Sequence, residues 1–239
     1  MKIFDAHVHV EKGMDKFDLD NIEKNLICNE LNLLPIYKQA LNENDTLSLI
    51  FDFRNKENIL QVKDFIASQQ ISALKIHSRI QKIFIHEYPL LISELKGIDD
   101  KIPVILDAWY YGHDYAHLPS LEQNINIITG CPNKKFIIAH SGGYELLKYF
   151  FHLRDLKNVF YDLSLSLQYF HDSSIFTDLK KIIKWIPHQK LIFGSDYPWG
   201  SPAFQFSILF NILKELGFPG DSIEDVLYNN AVNLYRNNK

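Results

Sequence analysis

The chain has 239 residues, 46% of them hydrophobic, with a formal net charge of −4 spread over interspersed acidic and basic residues. That size and apolar content support one sizeable core and fall within the range of single (β/α) barrels. The mild negative charge and the lack of a basic stripe argue against nucleic acid as a partner, and no run approaches the roughly 18 apolar residues of a membrane span.

Cys28 and Cys131 lie in unrelated contexts without CxxC spacing, so reduced thiols and a cytoplasmic setting are expected, with Cys28 buried. Asp5, His7 and His9 interrupt the N-terminal apolar run, which excludes a secretory h-region there. No linker-like tract, repeat or shift of composition divides the chain, so residues 1–239 are expected to form a single domain.

In chain order, short apolar runs alternate with longer amphipathic ones, the pattern of a parallel sheet wrapped by helices. Residues 3–9 form the first expected strand, with Asp5, His7 and His9 on one parity and Ala6, Val8 and Val10 on the other. Residues 10–24 read as a loop overhanging its end. A weakly patterned strand at 25–29 and a helix from Leu34 to Asn42 follow, then a strand at Thr46–Phe53 and a helix at Lys56–Gln69.

Further strands are expected at Ser72–His77, Ile102–Asp107, Lys135–His140, Val159–Leu163 and Lys190–Gly194. Helices are expected at Glu87–Leu95, Ser120–Ile128, from Gly142 and Gly143 to Leu153, and at Ser174–Trp185, with two more at Pro202–Leu216 and Ser222–Tyr235. Eight strands with intervening helices predict a somewhat abbreviated (β/α)8 TIM-like barrel, of class α/β.

The working face of such a barrel is the C-terminal end of its strands, where polar residues read as chemistry rather than packing. Nearly every expected strand end here carries one: His7 and His9, Asp52, Lys75 and His77, Asp107, His140, Asp162 and Asp196. Three loops would roof the site: Trp109 to His117 with Tyr110, residues 164–171, and Tyr197 to Pro202 with Trp199. Their aromatic density fits a pocket for a small molecule. His86, His152 and His188 fall away from the strand ends and read as surface or capping residues.

The order and spacing of five segments resemble the amidohydrolase superfamily, in its amidohydrolase-related (amidohydrolase 2) branch. They are Asp5-Ala6-His7-Val8-His9, Leu74 to His77, Phe136 to Gly143, Ile192 to Pro198 and Asn230 to Tyr235. The resemblance implies that His7 and His9 bind a divalent metal, that Asp196 is both a metal ligand and the general base, and that His140 holds the reacting water or the substrate carbonyl.

The chemistry is consistent with this on its own terms. Two neutral imidazoles and a carboxylate suit Zn²⁺, with Mn²⁺ as an alternative, and leave a position open for water. Metal brings the pKa of bound water toward about 7, and a neighbouring carboxylate can take its proton. Relatives usually carry a histidine where this chain has Asp107. Asp107 would then be a harder ligand, His113 or His117 would reach in instead, or the site would work without a tightly held metal. Lys75 is either a buried cation neutralising Asp107 or Asp196 or, as in binuclear relatives, a carboxylated ligand; His77 shares its parity, and Arg79 is either a surface arginine or an anchor for a carboxylate or phosphate, so that Lys75, His77, Arg79, Trp109, Tyr110 and Trp199 are the candidate substrate-binding residues.

The expectation is a metal-dependent hydrolase of a small ester, lactone or amide. The alternatives are a decarboxylase or lyase on the same barrel, a metal-free hydrolase, and a non-catalytic binding protein on a retired barrel. A homo-oligomer is compatible with the sequence.

Overall fold

In the computed structural model, residues 1–9, 22–109 and 120–236 are described. Eight strands, β1 (Phe4–Val8), β2 (Glu23–Cys28), β3 (Thr46–Ile50), β4 (Ala73–Ile76), β5 (Val104–Leu106), β6 (Phe136–Ile138), β7 (Val159–Asp162) and β8 (Leu191–Ile192), lie side by side in chain order. Every pairing between neighbours is parallel. Backbone bonds from Ala6 to Phe193, from Asp196 to His7 and from His9 to Tyr197 join β1 to the chain leaving β8 and bring the ring round on itself. The result is a (β/α)8 barrel.

The helices interleave with the strands: α1 (Leu34–Gln39), α2 (Lys56–Ala67), α3 (Ser78–Gln81), α4 (Tyr88–Lys96), α5 (Ser120–Gly130), α6 (Leu146–Leu153), α7 (Ser166–Tyr169), α8 (Ser174–Trp185) and α9 (Pro202–Glu215). Their starts follow local chemistry. Asn55 accepts from the backbone of Glu57 and Asn58 at the head of α2, and Ser201 accepts from Phe204 just before Pro202 opens α9. The chain closes with α10 (Gly220–Glu224), a wide turn at Asp225–Asn229 and α11 (Asn230–Tyr235).

Two layers of apolar side chains hold the barrel. Outward strand residues such as Leu47, Leu74, Val104 and Phe136 pack against the helices in one continuous cluster. Inside, Phe4, Ile27, Ala73, Ile105, Ile137 and Ile192 fill the lower barrel, and Ala231, Leu234 and Tyr235 of α11 plug it, with Tyr235 stacked on Phe4. This apolar floor leaves the C-terminal end of the strands as the place where polar groups gather.

Several strands are shorter than their apolar runs, because the chain turns as soon as it reaches the site. The expected sixth strand stops at Ile138, and His140 and Ser141 adopt left-handed backbone at φ 56° and 51°. In β1 the register slips between Asp5 and Val8. Ala6 therefore packs with the interior cluster, against the simple alternation expected from the sequence, while Val8 packs outward. Two short helices, α3 and α7, occupy stretches for which no element was expected: the connection after the fourth strand and the loop at 164–171.

Candidate metal and active site

The barrel mouth opens into a cavity of about 480 Å³ that is lined, among others, by His9, Lys75, His77, Asp107, His140 and Asp196. Each is buried, and together they arrive from the ends of five strands or the turns just beyond them, Lys75 and His77 both from β4. A larger groove of about 670 Å³ between Phe150, Arg154, Trp185 and Lys190 contains none of these groups.

His7 lies deepest, with no exposed surface. Its Nδ1 is 2.6 Å from Asp162 Oδ2, and its Nε2 is 2.8 Å from Lys75 Nζ and 3.4 Å from Asp196 Oδ1. Burial, reinforced by the charge of Lys75, holds both His7 and His9 well below the usual histidine range, so they are neutral imidazoles. A neutral ring carries one N–H; in His7 the carboxylate claims it at Nδ1, and Nε2 is left with its lone pair facing the cavity. His9 Nε2 stands 3.6 Å from the same oxygen of Asp196.

His7, His9 and Asp196 form the group of possible metal ligands found among the described residues, their donor atoms all within 4.8 Å of one another. The fit is good: ligand atoms about 2.0 Å from a tetrahedral ion sit roughly 3.3 Å apart, against 3.4 and 3.6 Å here. The donor types, two neutral imidazoles and one carboxylate, also suit Zn²⁺. Asp196 itself sits on left-handed backbone at φ 58°, a conformation that non-glycine residues hold only when the surroundings impose it. Burial raises its pKa to about 6.

Asp107 does not join this group of three. Its Oδ1 lies 3.6 Å from His140 Nε2 and its Oδ2 lies 3.4 Å from His77 Nδ1. Burial opposes its charge, but His77, His140 and Lys75 around it hold its carboxyl well below the usual range. His77 is pushed down to about 3 by burial. His140 is raised despite burial, because Asp107 and Asp196 both face it.

The segment after β7 ties the two key rings together, a role not expected from its place in a roofing loop. Ser164 Oγ lies 2.9 Å from Asp162 Oδ2, 3.0 Å from His140 Nδ1 and 3.3 Å from His7 Nδ1, and the Ser164 amide donates to Asp162 Oδ1 at 2.8 Å. Ser166 Oγ donates to the His140 carbonyl at 2.6 Å. The legible signal was a serine two residues past a strand-end aspartate. Gly194 makes room for this cluster: a Cβ there would stand 2.5 Å from Asp162 Oδ1. Asp5 works from below, accepting from the amides of His7 and Ser195 at 3.2 and 2.8 Å and so holding β1 against the turn that carries Asp196.

Around the mouth, Trp109 stands edge-on to His140 with ring centres 5.5 Å apart, and Trp199 edge-on to His9 at 5.2 Å. Arg79, from α3, lines the cavity. Tyr110, His113 and His117 lie outside the described residues. Asp52, one of the strand-end residues, is absent from the cavity lining and instead accepts from the Arg54 amide. His188 pairs with Asp225 at 3.3 Å, and His86 stacks on Phe84, both away from the site.

The amidohydrolase family model matches residues 86–236, which include Asp107, His140, Asp162 and Asp196 but not the β1 histidines. No curated protein matches the chain. Among solved structures, an uncharacterised TIM-barrel protein from Bordetella bronchiseptica is similar at 15% identity and a TM-score of 0.65, over 90% of this chain and 78% of that one. The 2,6-dihydroxybenzoate decarboxylase from Rhizobium is similar at 10% identity and a TM-score of 0.60, over 100% and 99%. A D-hydantoinase from a Bacillus sp. is similar at 11% identity and a TM-score of 0.59, over 81% and 58%. At these identities the structures share the barrel; the reaction has to be argued from the site.

Proposed function

The chain belongs to the amidohydrolase family, and from that premise we propose that it is a metal-dependent hydrolase of a small molecule with a polarised carbonyl, an ester, lactone or amide. The observation that carries the reading is the convergence of His7, His9 and Asp196 at ligand spacing, with Asp196 also facing the cavity as a buried carboxylate of raised pKa. The residues that would hold the ion are these three, and Zn²⁺ is the ion their donor set favours. When bound, the metal supplies Lewis acidity to the carbonyl and to a water.

The protein's own groups do the rest. Asp196, buried at the cavity and ionised at neutral pH, is the carboxylate placed to act as base. It accepts the water's proton and returns it to the leaving group. His140, held through Nδ1 by Ser164 and turned with Nε2 toward Asp107, places a raised-pKa N–H donor beside the developing oxyanion. Trp109 and Trp199 narrow the mouth and exclude bulk water, and Arg79 anchors an acidic group on the substrate.

Asp196→Asn tests this reading. Removing a general base costs ~10²–10⁴ in turnover, and an Asn of the same shape leaves the fold intact by circular dichroism. Turnover near the wild-type value on a substrate found by screening esters, lactones and amides would refute the role. Decarboxylation is a second reading, favoured by Lys75 and Arg79 in the cavity wall, which suit a substrate carboxylate. Release of CO₂ rather than a hydrolysis product from a panel of aromatic acids would select it.

A further inference from the structure

Lys75 makes a hydrogen bond that a passive counter-ion would not choose. It is 1% exposed, at the inward end of β4, with three carboxylates, Asp107, Asp162 and Asp196, near enough to act on its charge. Yet its hydrogen bond goes to an imidazole nitrogen, His7 Nε2, at 2.8 Å. That nitrogen has one lone pair, and the other ring nitrogen is already committed to Asp162. The same lone pair is the one His7 would offer to a metal.

A second observation shows where the ammonium could go. Asp107 Oδ2 is a buried carboxylate oxygen that makes no hydrogen bond: its neighbour His77 Nδ1 lies 3.4 Å away and itself accepts from the Ile80 amide. Lys75 pairs across the sheet with Ile105, two residues before Asp107, so both side chains rise on the same inward parity of adjacent strands. An unpaired buried carboxylate oxygen is costly, and an ammonium released by His7 would satisfy it.

We propose that Lys75 is an internal competitor for the metal site, which holds the Nε2 lone pair of His7 and must swing to Asp107 Oδ2 before His7 can ligate an ion. The proposal rests on the metal-binding reading above. In this view Asp107 serves the site as the alternative seat of a mobile cation, which accounts for an aspartate at a position where a third imidazole would have left Lys75 nowhere to go. Metal affinity is then set in part by the cost of moving Lys75.

The test is metal affinity of the full-length apo protein, measured for Zn²⁺ and Mn²⁺ by competition with a chromophoric chelator, in wild type, Lys75→Met, Lys75→Gln and Arg79→Met. Freeing the lone pair should tighten Zn²⁺ binding about tenfold or more in both Lys75 variants, the scale of one hydrogen bond from a charged donor. Arg79→Met, which removes a cavity cation without freeing His7, should change it less than threefold. A crystal structure of Zn²⁺-loaded wild type, which needs no variant to fold, should show Lys75 Nζ withdrawn from His7 and hydrogen-bonded to Asp107.

Unchanged affinity in the Lys75 variants overturns the competition while leaving the metal reading intact. Weaker binding overturns it by making Lys75 a ligand, and equal tightening by Arg79→Met overturns it by reducing the effect to net charge. If neither wild type nor variants bind either ion at millimolar concentration, the metal reading falls and this proposal falls with it.

Discussion

Asp162→Asn should separate the chemistry of this site from its stability. Asp162 uses both oxygens purely as acceptors: Oδ1 takes the Ser164 amide at 2.8 Å, and Oδ2 takes Ser164 Oγ at 2.9 Å and His7 Nδ1 at 2.6 Å. An amide of the same shape must present an NH₂ group to one of these two sets. The backbone N–H of Ser164 cannot become an acceptor, so the NH₂ turns toward His7, whose ring must then carry its proton on Nε2. A protonated Nε2 cannot ligate. Loss of such an orienting partner typically costs ten- to hundredfold in metal affinity, about 1.4–2.8 kcal/mol.

Stability should move differently. Burial raises the pKa of Asp162 in the fold, so the charged form is disfavoured there. Its cost is fully present above the folded pKa and disappears as pH falls toward the unfolded value. Wild type should therefore gain stability relative to Asp162→Asn as pH falls toward the ordinary aspartate range. The assay pairs Zn²⁺ affinity by chelator competition with urea denaturation across a pH series. A Zn²⁺ Kd within threefold of wild type would refute the orienting role of Asp162.

Asp5 gives a larger pH effect: burial raises its pKa from 3.8 to about 7, so wild type should lose stability as pH rises through that window, by of order 4 kcal/mol at most. Asp5→Asn should flatten the profile, and parallel denaturation curves from pH 5 to pH 8 for the two proteins would count against it. Gly194→Ala drives a Cβ to 2.5 Å from Asp162 Oδ1 and 3.0 Å from Ser164 Cβ; it should destabilise by ~1–3 kcal/mol and lower metal affinity together, and an unaltered melting temperature would contradict the packing. Lys134, fully buried, donates to the carbonyls of Ile98 and Asp99 at 2.8 and 3.0 Å. Lys134→Met should cost ~2–4 kcal/mol in urea denaturation without changing Zn²⁺ affinity, and an affinity change would show that the barrel's outer ties reach the site.

Much of the architecture was legible in the residues because it depends on local pattern. Alternating apolar runs and amphipathic stretches announced eight parallel strands and their helices; polar residues at the strand ends named His9, Lys75, His77, Asp107, His140 and Asp196 of the cavity lining, and the segments just beyond them named Arg79, Trp109 and Trp199. Those are properties of composition and period, which neighbouring residues in the chain carry by themselves. Strand ends were less legible. Ile137 and His140 belong to one apolar-looking run, yet the backbone reverses at His140 with φ 56° because contacts with Ser164 and Asp107 hold it there.

The division of labour within the site was decided only by the fold. His7 and Asp162 are 155 residues apart, and His7 and Lys75 are 68 apart; nothing in either neighbourhood says which will meet which nitrogen. The sequence determined that two histidines, a lysine and several aspartates would share one barrel mouth. Which of them come within ligand spacing of one another, and which pair elsewhere, depends on distances of a few tenths of an ångström between strands. Those distances are set by register, by the slip in β1 and by the room at Gly194. By that geometry Asp107 stands with His77 and His140, and His7, His9 and Asp196 stand together as the group that could hold a metal.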